Sequence, residues 1–198
     1  MKAEWYGDPR DLVKWAVLLH IADRFSCNHI LQVLYLQSTK WGKIRIGDSE
    51  ISLNQAVIDH FRSPSNVSNL DCNVVIETLH EKELRDHGEY LQFVLNRISQ
   101  RTKHPSVIFL DPDTGLEPSK SKPRLEHVRA IDLQKIWDRC VSGDVLVLYQ
   151  HAFRSKNWLE EKKRQFEEVL GLSSDKVEYG YAPEFKGAKD VAFLFAHK

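Results

Sequence analysis

Two continuous apolar runs constrain this chain most: 106–110 (SVIFL) and 144–149 (DVLVLY), the second behind a leading Asp. Each is short, rich in branched side chains, and stops at polar residues, which predicts strands buried on both faces. The first ends in Asp111-Pro112-Asp113-Thr114-Gly115 and the second in Gln150-His151. A helix predicted over 132–140 lies between them, so the two strands should run parallel within one α/β sheet.

The rest of the chain fits around that unit. A helix is predicted over 11–25 (DLVKWAVLLHIADRF), opened by Asp8-Pro9. Its wheel carries two polar patches: His20, Asp23 and Arg24 on one side, Asp11 and Lys14 on another. The larger patch reads as solvent-facing. The smaller either faces a site or is an exposed first turn. Further strands are expected over 30–36 and 73–79, a hairpin over 43–53, and helices over 54–61, 83–100 and 158–170, with a turn-rich loop over 63–71. The segment EEKKRQFEE reads as a solvated helix face. Two closing strands, 177–182 and 190–196, have no helix between them and should pair antiparallel at one edge. The expectation is a single α/β domain over 1–198, with a mostly parallel Rossmann-like sheet, a C-terminal antiparallel hairpin and helices on both faces.

Charge and cysteine content narrow the partners. Lys plus Arg and Asp plus Glu are 28 each, so the formal net charge is zero and no global basic field advertises nucleic acid. A nucleic-acid partner, RNA or DNA, would need a local rim. Lys120, Lys122 and Arg124, with Arg154, Lys156, Lys162, Lys163 and Arg164, are its candidates, although surface solubility explains lysines and arginines as readily. Of the aromatics, Trp5, Tyr6, Trp41 and Trp158 are placed to stack on bases or to cap the core. Cys27, Cys72 and Cys140 show no CxxC spacing and read as buried small hydrophobes rather than a disulfide or zinc framework. No apolar run is long enough for a bilayer span, and a cytoplasmic protein without membrane contact is expected.

Ligands in such sheets bind at the carboxyl ends of the strands. Asp111, Pro112 and Asp113 there offer a carboxylate pair and a donor-free carbonyl turn; a plain strand-ending turn uses the same residue types. Gln150 and His151 end the neighbouring strand, and His151 is a candidate acid or base.

The order VIFLDPDTGLEP, helix, DVLVLYQH, closing strand pair resembles the second half of class I S-adenosylmethionine-dependent methyltransferases. In that family an Asp/Asn-Pro-Pro-Tyr/Phe turn holds the nitrogen to be methylated. The segment Gly7-Asp8-Pro9-Arg10-Asp11-Leu12-Val13-Lys14-Trp15 is similar to the opening of the ribosomal-RNA adenine-N6 methyltransferases of the J type. The resemblance implies S-adenosylmethionine as cofactor, held by the turn from Gln37 to Gly42 and by Glu77 as the ribose-binding acid. It implies Asp111 and the Pro112 carbonyl as acceptor-orienting groups and Lys14, with Asp11, near the pocket; Gln150 and His151 from the neighbouring strand end, and Lys120 and Lys122 from the basic loop, are expected along the substrate side of the same rim. It also implies that Asp111→Ala abolishes transfer and spares the fold. The chain departs from the pattern: Gln37-Ser38-Thr39-Lys40-Trp41-Gly42 replaces the glycine-rich turn, and Asp113-Thr114 replaces the second Pro and the stacking aromatic.

Two other chemistries use the same residues. Asp111-Pro112-Asp113 is similar to the first motif of haloacid-dehalogenase-type phosphatases, with Asp111 as nucleophile, Asp113 as general acid and magnesium bound. That family has Thr or Val where Gly115 stands. Pro112-Asp113 with Glu161-Lys162-Lys163 gives a nuclease-like pair, but the second half falls on a charged helix. A catalytically degenerate methyltransferase-fold binding protein is the remaining alternative.

Overall fold

The structure is a computed structural model that describes residues 9–37, 43–46, 48–52, 64–70, 72–101, 104–118, 124–185 and 187–198. The two apolar runs form β5 (Ser106–Asp111) and β8 (Val145–His151), which pair in parallel with Val107 opposite Val145. Every residue of β5 is buried, and of β8 all but the last. The alternation of their side chains divides the core in two. Ile108, Leu110, Leu146 and Leu148 pack beneath α2 (His87–Gln100), α3 (Ala130–Arg139) and α4 (Trp158–Leu170). Val107, Phe109, Val145, Val147 and Tyr149 pack beneath α1 (Pro9–Arg24).

Around this pair, β1 (His29–Leu34), β4 (Val75–Leu79), β9 (Val177–Tyr181) and β10 (Val191–His197) complete a six-stranded sheet of order β4-β1-β5-β8-β10-β9. The first four are parallel; β10 is antiparallel to both β8 and β9. This is the expected Rossmann-like, mostly parallel sheet, with the closing hairpin inserted so that β10 lies inside and β9 takes the edge. The chain steps outward from β1 to β4, then returns across β1 to β5. The switch point is therefore the crevice at the carboxyl ends of β1 and β5. The remaining strands form two small pairs: β2 (Lys43–Ile46) with β3 (Ser49–Ser52), and β6 (Gly115–Leu116) with β7 (His127–Val128).

Local chemistry explains the shifted boundaries. The helix expected from 83 begins at His87 because Asp86, extended at φ −138°, accepts a hydrogen bond from the Glu89 amide at 2.9 Å and caps it. The turn-rich stretch from 63 holds a 3-10 helix, Pro64–Asn69. Helix α4 ends at Gly171, whose φ of 66° lets its amide satisfy the carbonyls of Glu167 and Glu168. The helix expected over 54–61 lies outside the described residues. Among the described residues, no helix is long and apolar enough to cross a membrane.

Candidate functional site

The carboxyl rim of the sheet carries a buried polar row on its α1 face. Alternation sends Gln32 of β1, Asp111 of β5 and Tyr149 of β8 to that face, and α1 lays Lys14 over them. The Lys14 ammonium donates to Asp111 Oδ2 and to Asp11 Oδ1, each at 2.9 Å, and sits 4.8 Å from the Tyr149 ring centroid. Gln32 Nε2 donates to the same Asp111 oxygen at 2.8 Å. Lys14 is 4% exposed and Asp111 is 1% exposed. Burial alone would lower the Lys14 pKa; Asp111 and Asp11 overcome it and hold the group charged well above the usual lysine range. The smaller polar patch of the first helix thus faces the interior.

The second arrangement is the turn that follows β5. Gln150, 2% exposed, folds over it: Nε2 donates to the carbonyls of Thr114 (3.1 Å) and His151 (2.8 Å), and Oε1 accepts from the Leu116 amide (2.9 Å). Gly115, at φ 108°, is required here, since a Cβ would come within 2.3 Å of Gln150 Oε1. The sequence places Gln150 against substrate; in the structure its amide is spent holding the turn. From the other side, Lys162 of α4 donates to the carbonyls of Leu116 (2.8 Å) and Glu117 (2.9 Å) and to Gln165 Oε1 (2.9 Å). Burial pulls its pKa down to about 8, with Glu117 and Glu161 only partly opposing. Lys162 is therefore neither a solvated helix residue nor a rim cation. Lys163 is likewise occupied, by Ser174 and Glu167.

Between this turn and α4 lies a cleft of about 910 Å³, lined in part by Thr114, His127, His151, Phe153, Arg154 and Arg164. His151 connects the cleft to the buried row through an edge-on contact with Tyr149, ring centroids 5.0 Å apart. Burial, then Arg10, push its pKa below the ordinary histidine value, so it is neutral at pH 7.

The other residues singled out by sequence separate from this rim. Glu77 stands mid-strand, opposite Leu31, and is held by Arg97 and by His29 Nε2 at 3.5 Å. The strand runs on to Leu79, so the acid beyond its end is Glu81, half-exposed and 3.7 Å from Arg97. Gln37 is half-buried just past β1, and its Nε2 is buried with no hydrogen-bond partner among the described residues; Gln32 Oε1 is in the same position. Gly42, Lys120, Lys122, Trp5, Tyr6 and Trp41 lie outside the described residues. Trp158 packs edge-on against Tyr181. Cys27 and Cys140 are buried, which raises their thiol pKa values to about 11 and about 12. They act as small hydrophobes rather than nucleophiles.

Sequence reasoning missed Gln32, Tyr149 and the role of Lys162. A lone Gln inside the apolar run ILQVLYL was the available signal for the first. The magnesium reading of Asp111 and Asp113 does not fit the geometry. Lys14 occupies the position a cation would take on Asp111, and a carboxylate 1% exposed cannot attack a phosphate ester.

No family model matches this chain, and no curated protein matches it. Among solved structures, a protein of Thermobifida fusca YX provisionally described as a methyltransferase is similar over 92% of this chain and 77% of its own, with 14% identity and a TM-score of 0.43.

Proposed function

We propose that this chain transfers the methyl group of S-adenosylmethionine to a nitrogen of its acceptor. The observation that carries the reading is the location of the Asp111-Pro112-Asp113-Thr114 turn at the switch-point crevice of a Rossmann-like sheet, where ligands of such sheets bind.

The residues present fit the cofactor in part. The unpartnered Gln37 amide nitrogen, just past β1, suits a carboxylate or hydroxyl acceptor, because a buried donor without a partner is costly. Glu77 does not fit as the ribose-holding acid, tied as it is to Arg97 and His29 in mid-strand. Glu81, beyond the end of β4, takes that place. When bound, the cofactor supplies an electrophilic methyl group on a sulfonium sulfur.

The acceptor side belongs to the turn. Asp111 is an anchor: Lys14 and Gln32 hold its carboxylate and so fix the strand end. The Pro112 carbonyl and the Asp113 carboxylate accept from the acceptor N–H and orient it, a contribution of positioning. His151, kept neutral by burial, takes a proton at its imidazole nitrogen. A nitrogen on nucleic acid, as the J-type likeness implies, is the acceptor class of this proposal.

Calorimetric titration with S-adenosylhomocysteine tests the reading. Micromolar one-to-one binding, weakened several-fold in Gln37→Ala, is expected. A folded protein that does not bind it is the degenerate scaffold instead, a reading favoured by the internal pairing of Asp111. Asp113→Asn is the clean activity variant. Asp111→Ala is not, because it strips Lys14 of a buried partner and is expected to cost stability as well as activity.

A further inference from the structure

The cleft against α4 has a composition the methyl-transfer reading does not use. Phe153 is 44% exposed. The Lys162 ammonium, 5.6 Å from its centroid, covers one side of the ring. The exposed remainder is aromatic surface in the lining of a cleft whose volume, about 910 Å³, suits an organic ligand rather than a single small anion. Arg154 stands on the rim, exposed, and makes no ion pair among the described residues. Among the described residues, Arg164 is engaged only by Glu168, at 3.9 Å. Of the two acids in the lining, Glu168 meets Arg164 and Glu161 accepts from Ser155 Oγ at 2.6 Å. The Lys162 protons go to carbonyl oxygens, so this lysine builds the floor and does not compete for an anion.

Neutral polar edges complete the lining. His127 is pushed below the ordinary histidine pKa by burial. Its Nδ1 accepts from the Arg124 amide at 3.2 Å, so the proton of the neutral ring is on Nε2, a hydrogen-bond donor. His151, neutral as well, borders the same space. An aromatic face, two guanidinium groups and two imidazoles that exchange hydrogen bonds without charge describe a ligand that is planar, polar at its edges and anionic at one end.

We infer that this cleft is a nucleotide subsite, with a base stacked on the exposed ring of Phe153 and a phosphate met by Arg154 and Arg164. The inference deepens the methyl-transfer reading, for it places an acceptor nucleotide beside Thr114 and His151, but its binding test stands apart from the cofactor. Whether the nucleotide is free or part of a strand is decided by the probes.

The experiment is titration of the full chain with adenosine 5′-monophosphate and with a ten-nucleotide single-stranded RNA, followed by calorimetry and by amide chemical shifts. Saturable binding of either probe is expected. It should weaken about tenfold or more in Phe153→Ala, as the loss of one base stack does. It should weaken several-fold, with a shallower salt dependence, in Arg154→Gln. Both substitutions are at exposed positions, and an unchanged melting temperature shows the fold intact. RNA binding much tighter than the mononucleotide supports a strand as ligand; equal affinity supports a free nucleotide. Absence of saturable binding, affinity unmoved by Phe153→Ala, or complete displacement by S-adenosylhomocysteine would overturn the inference. Nucleotide binding without any S-adenosylhomocysteine binding would leave this subsite standing and remove the methyl-transfer reading.

Discussion

Lys14 and Lys162 are the two lysines buried among the described residues, and they serve the same rim from opposite faces of the sheet. Lys14, on α1, meets two carboxylates. Lys162, on α4, meets two backbone carbonyls and a side-chain amide. Burial opposes both charges. Formal negative charge at Asp111 and Asp11 reverses that effect for Lys14, whereas neutral dipoles do not reverse it for Lys162. One side of the rim is therefore fixed by charge that does not titrate near neutrality. The other is fixed by a lysine that changes state at about pH 8. The fixed side anchors the end of β5; the titrating side holds the turn that walls the cleft.

Removing the fixed charge should have the largest effect. Lys14→Met leaves Asp111 and Asp11 buried without their cation, and breaking a buried pair of this kind costs about 3–5 kcal/mol. Urea denaturation of the single variant and of Lys14→Met with Asp111→Asn measures it. The double variant should recover part of the loss. A single variant within about 0.5 kcal/mol of wild type, inside the usual range for an ordinary surface substitution, would show that the pair is not what fixes this side.

A smaller loss is expected on the cleft side. Gly115→Ala forces a side chain onto φ 108° and into the space of the Gln150 amide. Gln150 is the far end of a flexible side chain, but three hydrogen bonds pin it, so it moves only by releasing them. A destabilisation of about 1–3 kcal/mol follows from the backbone strain. Thermal unfolding of Gly115→Ala alone and with Gln150→Ala separates strain from clash: the second substitution should relieve the clash only.

The two sides also differ in how far the sequence discloses them. The buried strands were legible because 106–110 and 144–149 are apolar without interruption, and the closing hairpin because no helix separates its strands. The pairing of the rim was not. Lys14 meets Asp111 across 97 residues, and Lys162 meets Leu116 across 46, distances at which no local pattern operates. Within EEKKRQFEE, Lys162 and Phe166 turn inward while their neighbours are charged, so the segment reads as solvated unless its acceptors are known. The cross-chain partners of Glu77 were equally hidden: Arg97 lies 20 residues away on α2, so nothing near Glu77 in sequence marks it as engaged.

The smallest effect, and the most discriminating, is the pH dependence. For Lys14 the folded pKa is raised, so its contribution is complete below the unfolded value of 10.5 and adds no slope below it. For Lys162 the folded pKa, about 8, lies under the unfolded 10.5. Between those values the unfolded chain binds a proton that the folded chain does not, so stability should rise with pH through this group. Wild type minus Lys162→Met isolates the slope, since every other titrating group is common to both. At pH 7 the substitution should cost about 1–2 kcal/mol, because the Leu116 carbonyl loses its donor. Urea midpoints at pH 7 and pH 10 should then show wild type gaining on the variant. A flat difference would mean that Lys162 keeps its proton as Lys14 does, and the contrast between ionic and dipolar burial would fail at this rim.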